Sequence, residues 1–186
     1  MKRLILLATV AAMSAPCAIA QTQSNTANQT QAQGQSQTSQ QQMPKDVQGF
    51  VKMAVVSNMF EIQSSQLAMK QSDNEDIQQF ATRMVADHTK AGNQLKEALQ
   101  NVDGEVQVPT ELDQKHQQMM QKLQGASGNS FDQTYRQMQV QAHEQAVQLF
   151  QYYSENGEDG PVKEFASKTL PTLKEHRQML SEMPNA

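Results

Sequence analysis

From Asp46 onward, apolar residues recur every three to four positions along five stretches, and no stretch alternates apolar and polar residues with period two. That periodicity admits amphipathic helices and excludes a half-buried sheet. The chain has only 8 Gly and 6 Pro, no Trp, and is rich in Gln, Met, Ala, Lys and Glu, residues that favour helix. The expected fold class is therefore all-α.

The first helix is predicted from about Asp46 to Gln71, with Phe50, Val51, Ala54, Val55, Ile62 and Ala68 on its buried face and Met59 at the margin. "SDNE" should open the second, with Ser72 and Glu75 as a capping box. Its face carries Ile77, Phe80, Ala81, Met84, Val85, His88, Ala91, Leu95 and Leu99, and it should end near Asn101. A third, short helix should begin at "TELD", Thr110 to Asp113, with Leu112, His116, Met119 and Leu123 on one face. "GNSFDQ" should start the fourth, with Ser130 and Gln133 as cap partners and Phe131, Tyr135, Met138, Ala142, Ala146, Leu149 and Tyr153 facing the core. Pro161 fits the first turn of the fifth, which uses Val162, Phe165, Ala166, Thr169, Leu173, His176 and Leu180. Pro171 lies inside that helix, so a kink or a brief break is expected there. Four long helices, one short helix and short loops make an antiparallel four-helix bundle.

The N-terminal residues point to export. Lys2 and Arg3 precede an apolar run, Leu4 to Met13, too short to span a bilayer, and "AIA" at Ala18–Ala20 is a small-x-small cleavage site. Residues 1–20 are read as a secretory signal peptide and the periplasm as the destination. Cys17 is preceded by Pro16 rather than the Gly or Ala of a lipobox. Cleavage would remove this sole cysteine, so no disulfide would staple the mature fold. The mature 166 residues would carry a formal charge of −6 (13 Lys+Arg left of 15, against 19 Asp+Glu). That balance argues against nucleic acid and anionic membrane surfaces as partners and leaves a protein partner or a second copy of the chain open. Residues 21–43 form an uncharged Gln/Ser/Thr-rich segment with little to bury, expected to be a disordered tether. Residues 44–186 are the bundle domain, with no transmembrane segment expected in the mature chain.

Polar residues occupy places where apolar ones would be ordinary. All four histidines, His88, His116, His143 and His176, fall on or beside an apolar face. Glu61 sits between Phe60 and Ile62 with Ser57, Ser64 and Ser65 among its helical neighbours, and a buried carboxylate needs a partner. Two readings follow. In one, Glu61, His88, His143 and His176 converge from four helices on a transition metal: Fe, Zn, Mn or Cu. Asp87, Glu144 and Glu175 would supply further ligands or acceptors behind the imidazoles. In the other, these residues bond to backbone, hydroxyls and one another at the edge of the core. Either way, His88 should point inward with Glu61 and at least one of His143 or His176 nearby. The Glu-x-x-His spacing of dinuclear carboxylate sites is absent, since Val85, Val140 and Leu173 stand three positions before His88, His143 and His176. "HQQMM" places His116, Met119 and Met120 together, a weaker signal for copper, with Met packing as the ordinary alternative. No nucleophile–base pair, phosphate loop or paired zinc cysteines occur, so catalysis by side chains alone has no support.

The run from "FVKMAVVSNMFEIQSSQLAMKQ" through "FATRMVADHTKAGNQL", "VPTELDQKHQQMMQKL" and "FDQTYRQMQVQAHEQAVQLF" to "LPTLKEHRQML" resembles a bacterial domain family of unknown function whose members carry an outer-membrane-protein label. The resemblance implies a ferritin-like helical bundle exported to the envelope, and no established activity or catalytic residues. The sequence shows no barrel strands, which favours a periplasmic protein over the label. The function read here is that of an exported binding or stress-associated envelope protein, with a metal-storage or redox role as the alternative.

Overall fold

The computed structural model describes residues 43–184. The signal peptide and all but the last residue of the tether lie outside the described residues. Five helices follow in order: α1 Val47–Gln71, α2 Glu75–Leu99, α3 Gln114–Gln124, α4 Gly128–Asn156 and α5 Pro161–Glu182. No strand occurs among the described residues. None of these helices is long and apolar enough to cross a membrane.

α1 packs on α2 and α4, and α5 packs on α2 and α4, so the four long helices surround one core in the cyclic order α1, α2, α5, α4. Three residues join α1 to α2 and four join α4 to α5, which makes each pair antiparallel. Phe50 stacks on Tyr153 near one end, and Ser65 meets Tyr135 toward the other, so α1 and α4 are antiparallel too. The segment after α2, with α3, returns the chain along the bundle and lays α3 against α1 and α4. The fold is a four-helix bundle with one extra short helix, as its pattern predicts.

Caps are set by residues other than some of those expected. Asp46 caps α1 by accepting from the Gly49 amide at 2.7 Å. Asn74, not Ser72, caps α2, accepting from Asp76 and Ile77. Ser72 ends α1, and its hydroxyl accepts from the Asn74 amide. Asp113, the last residue of the expected "TELD" start, caps α3 by accepting from the His116 amide. α4 begins at Gly128, so Ser130 lies inside its first turn, and α2 ends at Leu99 rather than Asn101. Gly160, at φ 147°, occupies a conformation that L side chains rarely adopt, and Pro161 opens α5 immediately after it. α5 runs unbroken through Pro171. Pro171 and Ser167 are both exposed, so the carbonyl left without its helical partner faces water.

The buried face of α5 is the predicted one, residue for residue, and every predicted core residue of α4 is buried, but α4 also buries Asp132, Gln139, Val147 and Phe150, which widens its face. On α1 the stripe is rotated: Val56 and Phe60 are buried, while Val55 and Ile62 are only partly so. On α3, Met120 and Leu123 are buried, and Met119 packs at the edge.

Two apolar clusters fill the interior. One gathers Phe50, Val51, Leu95, Phe150, Tyr153 and Phe165. The other gathers Phe60, Ile77, Phe80, Met84, Phe131 and Tyr135. The helices pass from one cluster to the other between Ala54 and Phe60, Met84 and Leu95, Ala142 and Ala146, and Leu173 and Leu180. His88, His143 and His176 occupy three of those crossings and Glu61 follows directly after the fourth, forming a polar layer across the middle of the bundle.

Candidate metal centre

Each imidazole is placed by its helix. His88 stands on α2 one turn beyond the buried Met84, and His176 follows Leu173 on α5. His143 lies beside Ala142 on α4. All three are buried: 6% of His88, 1% of His176 and none of His143 is exposed. Their ring centroids lie 5.3–5.6 Å apart in every pairing. One ring nitrogen from each lies within 4.8 Å of the other two.

The hydrogen bonds fix which nitrogens remain free. A peptide carbonyl can only accept, so His143 donates its Nδ1–H to the Gln139 carbonyl at 2.9 Å. Ionised carboxylates also only accept, so His176 donates its Nε2–H to Asp87 Oδ2 at 2.9 Å. His88 Nδ1 donates to Asn58 Oδ1 at 3.1 Å. The remaining atoms, His88 Nε2, His143 Nε2 and His176 Nδ1, carry lone pairs in neutral rings. His143 Nε2 and His176 Nδ1 face each other at 3.3 Å. His88 Nε2 is buried without a partner.

Electrostatics keep the rings neutral. Burial, reinforced by the two neighbouring imidazoles, holds His88 well below the ordinary histidine value. Burial, with His176 beside it, takes His143 down to about 4 despite its bond to Gln139. Burial also lowers His176, against the pull of Asp87. Asp87 is itself partly buried, which opposes ionisation, but hydrogen bonds from Arg83 and His176 outweigh this and keep it charged. Arg83 reaches Asp87 at 2.7 Å and Glu175 at 3.6 Å, so the outer side of His176 is anchored through a carboxylate to a cation.

Neutral imidazoles with their N–H groups tied to oxygen acceptors and their lone pairs converging match the donor arrangement of histidine metal sites. The 3.3 Å gap has a direct meaning. With metal–nitrogen bonds of about 2.05 Å, it corresponds to an N–metal–N angle of about 107°, close to tetrahedral. The wider separations, up to 4.8 Å, call for a small inward movement of the rings around an ion.

The structure brings together three of the four residues expected to be ligands. Glu61 lies one layer back: its Oε1 is 3.8 Å from His143 Nδ1, the nitrogen already committed to Gln139. His88 has Asn58, rather than Glu61, as its hydrogen-bond partner on α1. Glu61 is completely buried, and burial raises its carboxyl to about 8, against the opposing effect of Gln139. It is therefore the neutral acid at pH 7, and its proton can serve the otherwise unpartnered Gln139 Oε1. Gln139 Nε2 donates to Ser64 Oγ, and Ser65 meets Tyr135, completing a polar layer behind His143.

Asp87 acts as expected of the acidic neighbours. Glu144 is exposed, and Glu175 serves Arg83 rather than a histidine. His116 stands apart, bonded to Asp113 at 2.6 Å with its ring 5.2 Å from that of Phe60. Met119 and Met120 pack in the apolar cluster around Phe60.

Asn58 was missed by sequence reasoning, though a signal existed. Asn58 and His88 each lie 15 residues from Asp73, in the turn joining α1 and α2, and so stand at the same height. Gly92 makes room for it: a Cβ there would lie 3.2 Å from Asn58 Nδ2.

A cavity of about 390 Å³ adjoins the three-histidine group. Ala54, Ala91, Leu95, Phe150, Phe165 and Leu173 form its apolar wall, and His88, His176 and Asp87 line it as well. Ser57, Asn58, Lys96, Thr169 and Thr172 supply the rest of its polar lining.

Among solved structures, one similar chain is "CopM in the Cu(II)-bound form", with a TM-score of 0.60 at 15% identity. The match covers 74% of this chain and 94% of that one, a likeness of fold. No curated protein matches the chain. A family model matches residues 18–183, nearly the whole sequence, and on that match the chain belongs to the family described as "Domain of unknown function (DUF4142)".

Proposed function

We propose that this domain binds one transition-metal ion through His88, His143 and His176, as an exported metal-handling protein of the bacterial periplasm. The observation that carries the reading is the meeting of three buried imidazoles, with one ring nitrogen of each within 4.8 Å of the others. Each ring is tied by one nitrogen to an oxygen outside the group, while His143 Nε2 faces His176 Nδ1 at 3.3 Å and His88 Nε2 has no partner. A set of satisfied core histidines would instead show each nitrogen hydrogen-bonded, and His88 Nε2 has no partner.

A donor set of neutral imidazoles, with Glu61 protonated and set back, favours Zn(II) and Cu(II) over Mn(II) and Fe, which take more oxygen ligands. The Cu(II)-bound form of a protein with the same fold supports copper as an ion that such a bundle accommodates. The single long crossover between α2 and α4 is the connectivity of ferritin-like bundles, the sense in which we read this fold. The signal-like N-terminus supports export; nothing in the bundle supports an outer-membrane barrel. Holding an ion, rather than turning over a substrate, is the role these residues suit.

The test is a thermal melt of chelator-stripped protein without a His tag. Binding only to the folded state adds about 4 kcal/mol of stability at a free ion concentration of 1,000 Kd. Zn(II) or Cu(II) should raise Tm in the wild type and leave His176→Leu unmoved. Equal shifts in both proteins would overturn the assignment.

A further inference from the structure

The cavity beside the histidines is long and mostly apolar. Its lining on α2 extends from Asp87 to Leu99, about 18 Å along the helix axis. Leu95, Phe150, Phe165 and Leu173 form much of its wall. Val108, one of two large apolar residues left exposed among the described residues, lines it too. Two charged side chains border it. Asp87 is already engaged by Arg83 and His176. Lys96 is exposed and has no hydrogen bond or ion pair with a described residue. Asn58 accepts the His88 N–H through Oδ1, which leaves its Nδ2 protons without an acceptor. That Nδ2 lies against Gly92, 3.2 Å from where a Cβ would stand. Lys96 follows Gly92 by four residues, so it stands one turn further on the same face of α2. Two N–H donors without acceptors, one of them cationic, thus border the same stretch of the cavity. The hydroxyls of Ser57, Thr169 and Thr172 donate or accept equally and carry no charge.

We infer that this cavity binds an amphipathic carboxylate, a short unbranched fatty acid, with its tail along the apolar wall and its head at Lys96 and Asn58. The volume of about 390 Å³ lies in the range of small-molecule sites. Donors without acceptors select an acceptor, and an ammonium selects a charged one, because a charge-assisted hydrogen bond is stronger than a neutral one. The flexible stem of Lys96 can lie along apolar surface while its ammonium follows a carboxylate at the mouth. An amine or a metal cation would meet Lys96 as a like charge and find Asp87 already paired. Asp87 does not oppose the carboxylate: it lies nine residues from Lys96, about 13.5 Å along α2, and Arg83 offsets its charge. This inference concerns the metal-free protein and does not need an ion at the three histidines.

The test titrates sodium octanoate and 1-octanol by calorimetry into chelator-stripped protein without a His tag. The two share an unbranched tail and differ in the charge of the head. Octanoate should bind at least about tenfold more tightly. Lys96→Met keeps an apolar stem, removes the charge and breaks no hydrogen bond within the bundle. It should bring the two affinities together while 1-octanol still binds. Ala91→Phe, which fills the cavity, should weaken both at least about tenfold with an unchanged circular dichroism spectrum. If Ala91→Phe does not fold, the Lys96→Met comparison decides alone. Octanol binding as tightly as octanoate in the wild type, a preference for octanoate that survives Lys96→Met, or no binding of either compound would overturn the inference. A protein that takes up no metal yet prefers octanoate through Lys96 would overturn the metal assignment and leave this inference standing.

Discussion

Glu61→Gln tests the polar layer through the pH dependence of stability. In the folded protein the carboxyl of Glu61 is raised to about 8, against 4.5 for an ordinary glutamate. Between those values the folded state holds one proton that the unfolded chain has released. Stability from this group is therefore complete below about pH 4.5 and falls as pH rises toward 8, at about 1.4 kcal/mol per pH unit. The three buried histidines have the opposite sign. Their folded values are lowered, His143 to about 4, so their contribution is complete above about 6.5 and lost on acidification. Below about pH 7 the histidines outweigh Glu61, and above it Glu61 dominates as the last protons leave the histidines of the unfolded chain. Metal-free protein should thus be most stable near pH 7 and lose somewhat under about 1 kcal/mol from there to pH 8. Urea unfolding at half-unit steps of pH, with chelator present, measures this directly. In Glu61→Gln the alkaline limb should be flat while the acid limb remains. An alkaline slope of the same size in both proteins, or none in the wild type, would refute the protonated Glu61.

Asp87→Asn keeps the shape at His176 but removes the carboxylate that fixes its tautomer, so Zn(II) affinity by competition with a chelating dye should fall about 10–100-fold with little change in fold. Phe60→Ala should cost about 3–5 kcal/mol in urea unfolding, because Phe60 is fully buried, whereas Ile62→Ala, at a partly exposed position, should cost less than half as much. Equal losses would mean the face of α1 is drawn wrongly. Intact mass spectrometry of the periplasmic fraction should find a chain beginning at Gln21, and a diacylglyceryl mass on Cys17 would contradict export as a free protein.

The sequence reads well where each helical turn offers one apolar candidate. On α5, apolar side chains at three- and four-residue spacing are separated by Gln, Lys, Glu and Ser, and the buried face follows directly. α1 offers Val55 beside Val56, and Phe60 near Ile62, so two stripes fit equally and only the neighbours choose between them. Phe60 is chosen because it reaches the cluster that α3 closes with Leu123. The short connections were legible as turns, but adjacent polar residues such as Ser72 and Asn74 compete to cap, and backbone geometry decides. At the site, a histidine in a leucine's place on three separate helices was a readable signal. Glu61's position was not readable to that precision: helical spacing gives height and face, but not which side of a neighbouring ring a carboxyl reaches. Its protonation follows from burial that only the assembled bundle creates.

The most direct test of the central claim is equilibrium dialysis of protein without a His tag against Zn(II) and, separately, Cu(II), with metal counted by mass spectrometry. Wild type and His116→Ala should each hold one ion per chain, since His116 lies outside the three-histidine group. His143→Leu should hold none while keeping its helical spectrum, because the other two imidazoles alone leave the ion without a third nitrogen. A wild-type protein that retains no ion, or a His143→Leu variant that retains as much as the wild type, would contradict a metal centre at His88, His143 and His176.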